Sequence, residues 1–215
     1  IKLAEWEYLC TYASDGYYNL EKIRKQVDYL ENNPFYGLCY SNRYKFYENG
    51  IVRKLPVNDI QEGYLFSELL TQKIRVNPCT IMYRMEVIHD IGLYDVTLAV
   101  EDFDYILRVA YKYKIGFLDD YLFYYRSHAN NTVNLTDKMQ INSNLILGKW
   151  VHTSSYQEAV FLNDLQYFRA FASLQKTKAI KLMPLYKGVI YRREFYEGLL
   201  RLLIPKFIYK AIMRR

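Results

Sequence analysis

No apolar run in this chain approaches the roughly 18 to 20 residues that a membrane-spanning helix needs. The longest candidate, near the carboxyl end, is broken by Arg201 and Lys206. Cysteine is scarce as well. Cys10, Cys39 and Cys79 are far apart in strand-like apolar surroundings and form no Cys-x-x-Cys pair, so neither a disulfide framework nor a zinc site is expected. They read as reduced core residues of a cytoplasmic protein. Internal repeats, low-complexity tracts and a leader pattern are all lacking, and the chain opens on Ile1 inside a pattern, which predicts that an amino-terminal part is missing.

What is present is a large apolar fraction, 51% of 215 residues, enough for a substantial core. Aromatics make up 17%, with 24 Tyr against 2 Trp, a choice that suits strands and half-buried surfaces needing an apolar body with a polar tip. The net charge of +6 is unevenly distributed. Residues 1–136 hold 15 basic and 18 acidic side chains, whereas 137–215 hold 14 and 5. The basic character therefore belongs to the carboxyl-terminal third.

Read along the chain, Tyr8 to Tyr12 form a strand-like run that Ser14, Asp15 and Gly16 break with turn chemistry. Leu20, Ile23, Val27 and Leu30 then set a helical period, predicting a helix over 20–32 with Asn19 as its cap. A strand over 36–47, the turn Glu48-Asn49-Gly50 and a return strand from Ile51 read as a hairpin. A short helix is expected over 63–72, a strand over 78–83, a helical turn over 84–91 closed by Gly92, and a helix over 101–114. Short strands at 115–118 and 122–126 complete the unit. Helical signals dominate from about Thr136, which sets the expected domains at 1–135 and 136–215. The alternation predicts an α/β fold with a mixed sheet and an α-helical carboxyl-terminal extension.

Few of these residues carry chemistry on their own. Asp15 lies at a strand's carboxyl end, where open α/β sheets bind ligands and where a carboxylate can hold a divalent cation against a phosphate; an isolated Asp in such a place is more commonly a turn residue. Glu101 and Asp102 open a helix, where acidic residues are favoured by the backbone N–H groups regardless of function. His128 is a single loop histidine, for which a structural role is the commoner outcome. The Asn-x-Thr triplets at 130–132 and 134–136 are treated as chance.

The order of these elements is more specific than any of them. Glu7-Tyr8-Leu9 with Ser14-Asp15, Glu21-Lys22 and Lys25-Gln26-Val27; Arg84-Met85-Glu86-Val87; Gly92-Leu93-Tyr94-Asp95; Glu101-Asp102-Phe103-Asp104; and Tyr124-Tyr125-Arg126-Ser127-His128 together resemble the second half of the nucleotide-sugar domain of family 2 glycosyltransferases, the inverting enzymes of the GT-A fold. The resemblance covers residues 1 to about 135. It implies a partial GT-A domain, the metal and acceptor half, lacking roughly 80 to 90 amino-terminal residues by analogy with the mononucleotide-binding half of doubly wound folds. It implies that the fragment alone is inactive and prone to aggregate.

The same resemblance implies Asp102 as the catalytic base and Asp15 as the last Asp of the DxD turn, a metal ligand with His128 for Mg2+ or Mn2+. Ser14, Asp15, Glu101 and Arg126 would stand at the donor diphosphate. Ala13 departs from the first Asp of that motif and Gly16 from the further Asp that often follows. The expected partners are a nucleotide-diphospho-sugar donor of the UDP-sugar type and a glycan or lipid-linked acceptor in cell-surface polysaccharide synthesis. The basic amphipathic end, Leu199 to Arg215, could lie on an anionic membrane surface as a peripheral contact or pack on the protein. A degenerate transferase-like domain that binds without catalysing is the alternative. A nucleic-acid binder ranks lower, because the basic residues gather in a helical tail.

Overall fold

A computed structural model describes residues 6–12, 16–47, 50–55, 62–127, 136–182, 192–205 and 208. The chain divides into two compact units, residues 1–134 and 135–215.

The first unit is α/β, built on a mixed six-stranded sheet in the order β1-β5-β3-β6-β2, with β4 paired to β3. The strands are β1 (Tyr8–Leu9), β2 (Gly16–Tyr18), β3 (Tyr36–Tyr47), β4 (Val52–Leu55), β5 (Met82–Arg84) and β6 (Lys114–Ser127). The long central pair β3 and β6 is parallel; the other pairings are antiparallel. The two strands expected at 115–118 and 122–126 are one. Ser41 pairs with Leu118 and Asn42 with Tyr121, so Asp119 and Asp120 are an insertion in the ladder and not a turn. Asn42 Nδ2 donates to Asp119 at 2.7 Å and Lys25 Nζ meets Asp120 at 2.8 Å, which holds the irregularity in place.

Helix α1 (Lys22–Asn32) starts later than expected. The Asn19 side chain accepts from the Glu21 N–H at 2.9 Å, a local turn ahead of the helix in place of a cap on it. Its buried face also differs from the apolar period. Lys22, Gln26 and Leu30 are inside, while Leu20 is 98% exposed and Ile23 is 48% exposed. The buried polar groups find partners: Gln26 Nε2 donates to the Thr80 carbonyl at 2.8 Å, and Lys22 Nζ to Cys10 Sγ at 3.2 Å and to the Ile81 carbonyl at 3.4 Å. Arg84 Nε donates to the Tyr36 carbonyl at 3.0 Å and its guanidinium also reaches the Leu30 carbonyl, tying the carboxyl end of α1 to β3.

The short helix predicted over 63–72 is α2 (Phe66–Leu70). The strand predicted over 78–83 opens as a single 3-10 turn, Pro78–Thr80, before β5. Asn77 accepts from the Cys79 N–H at 3.1 Å and Pro78 supplies the first helical φ, so capping chemistry overrides the apolar run. Two further helices follow, α3 (Met85–Ile91) and α4 (Glu101–Lys112).

The second unit consists of α5 (Thr136–Gly148), α6 (Tyr156–Leu174), α7 (Lys176–Leu182) and α8 (Arg193–Leu203). The apolar stripe of α6 is spent inside this unit: Leu165, Phe168 and Phe171 form its core with Ala179 and Phe195, and Phe161, Leu199 and Leu202 pack against it. A Cβ on Gly198 would come within 2.2 Å of the Phe168 ring, so α8 approaches α6 closely there. Leu200 and Leu203 on α8 are exposed. Lys206, Phe207 and residues 209–215 of the expected basic end lie outside the described residues. Among the described residues no helix is long and apolar enough to cross a membrane.

Candidate active site

Asp102 occupies the first turn of α4, half-buried behind the loop that joins α3 to α4. Gly92 ends α3 at φ +85°, a conformation that glycine adopts without the strain a Cβ would bring, and this turns the chain away from the helix. The loop is then fixed from α4. Arg108 donates to the Ile91 carbonyl at 2.9 Å and the Leu93 carbonyl at 2.8 Å, and is itself held by the fully buried Asp104 at 3.0 Å. Tyr105 donates to the Gly92 carbonyl at 2.9 Å. Within the loop, Asp95 accepts from the Thr97 N–H at 3.1 Å and from the Thr97 hydroxyl at 2.6 Å. The Gly-Leu-Tyr-Asp and Glu-Asp-Phe-Asp segments thus form one cross-tied structure, on which Asp102 is a half-buried carboxylate without an ion-pair partner among the described residues.

The surroundings of that carboxylate are aromatic. Tyr83 on β5 and Tyr94 in the loop hydrogen-bond through their side chains, and the Asp102 charge acts on both phenols. The Tyr94 and Tyr105 rings lie 4.5 Å apart, and Tyr83 meets Tyr105 edge to face at 5.6 Å. Burial holds the Asp102 carboxyl above the usual carboxylate range; the Phe103 N–H, which donates to it at 2.7 Å, opposes that shift, and the neighbouring Glu101 charge adds to it. Glu101 itself is exposed.

Ser14, Asp15 and His128 lie outside the described residues. The residues that bracket 13–15 are tied by two tyrosine hydroxyls. The Tyr12 hydroxyl donates to the Gly16 carbonyl at 2.8 Å, and the Tyr18 hydroxyl to the Thr11 carbonyl at 2.7 Å. Gly16 leaves no room for a side chain: a Cβ there would come within 2.3 Å of the Phe123 ring and 2.6 Å of the Tyr124 carbonyl on β6. Strand β1, which leads into this stretch, pairs Leu9 with Tyr83. The neighbour of Asp102 on β5 is therefore also the neighbour of β1.

Arg126 is exposed near the end of β6, opposite Phe46, and among the described residues no contact joins it to Asp102. Among the described residues no three His, Cys, Asp or Glu side chains converge to hold a metal ion. Two features escaped the sequence. The Tyr83 and Tyr94 pair beside Asp102 had no signal, because tyrosine is everywhere in this chain. Lys22, with no exposed surface, sits 4.4 Å from the Tyr18 ring centroid, and burial lowers its pKa below the ordinary lysine value.

No family model matches the sequence. The chain is similar to an uncharacterized glycosyltransferase of Methanocaldococcus jannaschii, with 24% identity over 179 residues, covering 80% of this chain and 58% of that protein. The likeness supports a distant relationship to glycosyltransferases. The chain spans little more than half the length of that relative.

Proposed function

We propose that this chain is the metal and acceptor half of an inverting family 2 glycosyltransferase domain of the GT-A type, acting on a cell-surface glycan or lipid-linked acceptor. The observation that carries the reading is Asp102: a half-buried carboxylate with a raised pKa, on the first turn of a helix whose preceding loop is fixed by Arg108 and Tyr105. A base is most effective when its pKa approaches the working pH, and an upward shift moves a carboxylate in that direction.

In the proposed reaction Asp102 accepts the proton of the acceptor hydroxyl as the oxygen attacks the anomeric carbon of a UDP-sugar or related donor. The bond from that carbon to the diphosphate oxygen breaks, its electron pair leaves with the diphosphate, and the configuration inverts. Glu101 would keep a second negative charge at the mouth of the site, while Ser14 and Arg126 would contact the diphosphate. The candidate donor set has one carboxylate in the stretch 13–15, with His128 as a second donor, and Ala13 removes another. Such a sparse set suits a Mg2+ or Mn2+ ion whose coordination is completed by the donor's own phosphate oxygens, and that ion would neutralise the leaving diphosphate. The exposed Leu200 and Leu203 on α8 and the basic residues beyond it are compatible with a peripheral seat on an anionic membrane surface.

Ala13 supports a second reading, a transferase-like domain that binds a nucleotide sugar without turning it over. Metal-dependent hydrolysis of UDP-sugars by the full-length protein separates the two. The first reading expects hydrolysis stimulated by Mn2+ and weakened Mn2+ dependence in Asp15→Ala; donor binding with no turnover under any metal would favour the second.

A further inference from the structure

A second surface, on strands β2, β6, β3 and β4, has a composition of which the proposed chemistry uses Arg126 alone. One register row crosses four strands of the sheet: Tyr17 on β2 pairs with Tyr124 on β6, Tyr124 with Tyr44 on β3, and Tyr44 with Lys54 on β4. Paired residues point to the same face, so this row is a continuous strip. Its rings are stacked, Tyr17 on Tyr124 at 4.4 Å and Tyr44 on Tyr124 at 4.6 Å, and Tyr44 also meets Tyr121 at 5.0 Å. Tyr17 is 47% exposed, the other three are half-buried, and among the described residues none of the four hydroxyls has a hydrogen-bond partner.

The strip also carries cations: Lys54 stands 5.0 Å from the Tyr121 ring centroid, and Arg126 lies one pair further along β6 on the same face as Tyr124. Between residues 36 and 55 the only acidic side chain is Glu48.

We propose that this tyrosine strip binds an acidic saccharide chain, the extended part of the acceptor. The assignment rests on the glycosyltransferase reading for its link to transfer, but the binding stands on the strip alone. A polyhydroxylated chain matches a row of free phenol hydroxyls, each able to donate and accept, and its carboxylates match Lys54 and Arg126. Single-stranded nucleic acid shares the charge but needs open ring faces for its bases. Here the ring faces are taken up by one another, leaving mainly hydroxyl-bearing edges.

The test is calorimetric titration of the protein with oligogalacturonate, neutral dextran oligomers and oligothymidylate. Oligogalacturonate should bind, weaken as salt is raised, and exceed dextran in affinity. The double variant Tyr44→Phe with Tyr124→Phe, which keeps the stacked rings, should bind it roughly tenfold more weakly at unchanged melting temperature, the effect of losing two hydroxyl contacts. Failure of oligogalacturonate to bind, unchanged affinity in the double variant, or tighter binding of oligothymidylate would each overturn the proposal. Binding that persists in a protein with no donor turnover would remove the transferase reading and leave this one standing.

Discussion

The Asp104 carboxylate, with no exposed surface, lies 3.0 Å from the Arg108 guanidinium one helical turn on, and Arg108 uses its remaining N–H groups to grip the Ile91 and Leu93 carbonyls. A buried ion pair here works as a bracket for the loop ahead of Asp102. Arg108→Ala should cost about 2 to 4 kcal/mol, because it strips a buried carboxylate of its cation and two carbonyls of their donors. Chemical denaturation measures this, and a loss below about 0.5 kcal/mol, the range of a neutral surface change, would show that the bracket is dispensable.

Asp102 is expected to reduce stability at neutral pH. Its folded pKa is raised, so between the unfolded and folded values the folded state binds more protons and stability falls as pH rises. Asp102→Asn removes the buried charge and should melt higher than the wild type near neutral pH. The gap should close in acid, below the ordinary Asp value of about 3.9. A lower melting temperature for the variant at neutral pH would mean that the carboxylate is paired and not merely buried.

Lys22 reports in the opposite direction. Its folded pKa is lowered by burial, so between that value and the ordinary lysine range the unfolded state binds more protons and stability rises with pH. Relative to Lys22→Met, the wild type should gain stability as pH is raised from neutrality into that range, and the variant should be at least as stable near neutral pH. A wild type that loses ground to the variant in alkali would show that the amine is held by an anion.

Gly16 has no room for a side chain against Phe123 and the Tyr124 backbone. Gly16→Ala should therefore destabilise by about 1 to 3 kcal/mol, the usual cost of overpacking. An equally stable variant would mean that β2 can slide on β6.

The sequence made the α/β alternation legible because most elements of the first unit are bounded by strong punctuation: Asn33-Pro34 after α1, Asn49-Gly50 between β3 and β4, Gly92 after α3. It misled where polar residues were buried. Lys22 and Gln26 interrupt the apolar period of α1, yet they form its inner face because carbonyls of Ile81 and Thr80 and the Cys10 sulfur receive their donors. Two separate strands were expected at 115–118 and 122–126, but a ladder as long as β3 with β6 absorbs the residues between them as an irregularity. At the candidate site, the position of Asp102 in the first turn of α4 was legible from the Glu-Asp helix start. Its aromatic surroundings were not, since they arise from the contact of β5 with a loop more than ten residues further along the chain.

The most direct measurement is transfer by the full-length protein, wild type against Asp102→Asn, with donor affinity determined in parallel. The account predicts donor binding near normal and a fall in kcat of about a hundredfold or more, the order expected for losing a general base. Wild-type turnover in Asp102→Asn would contradict it.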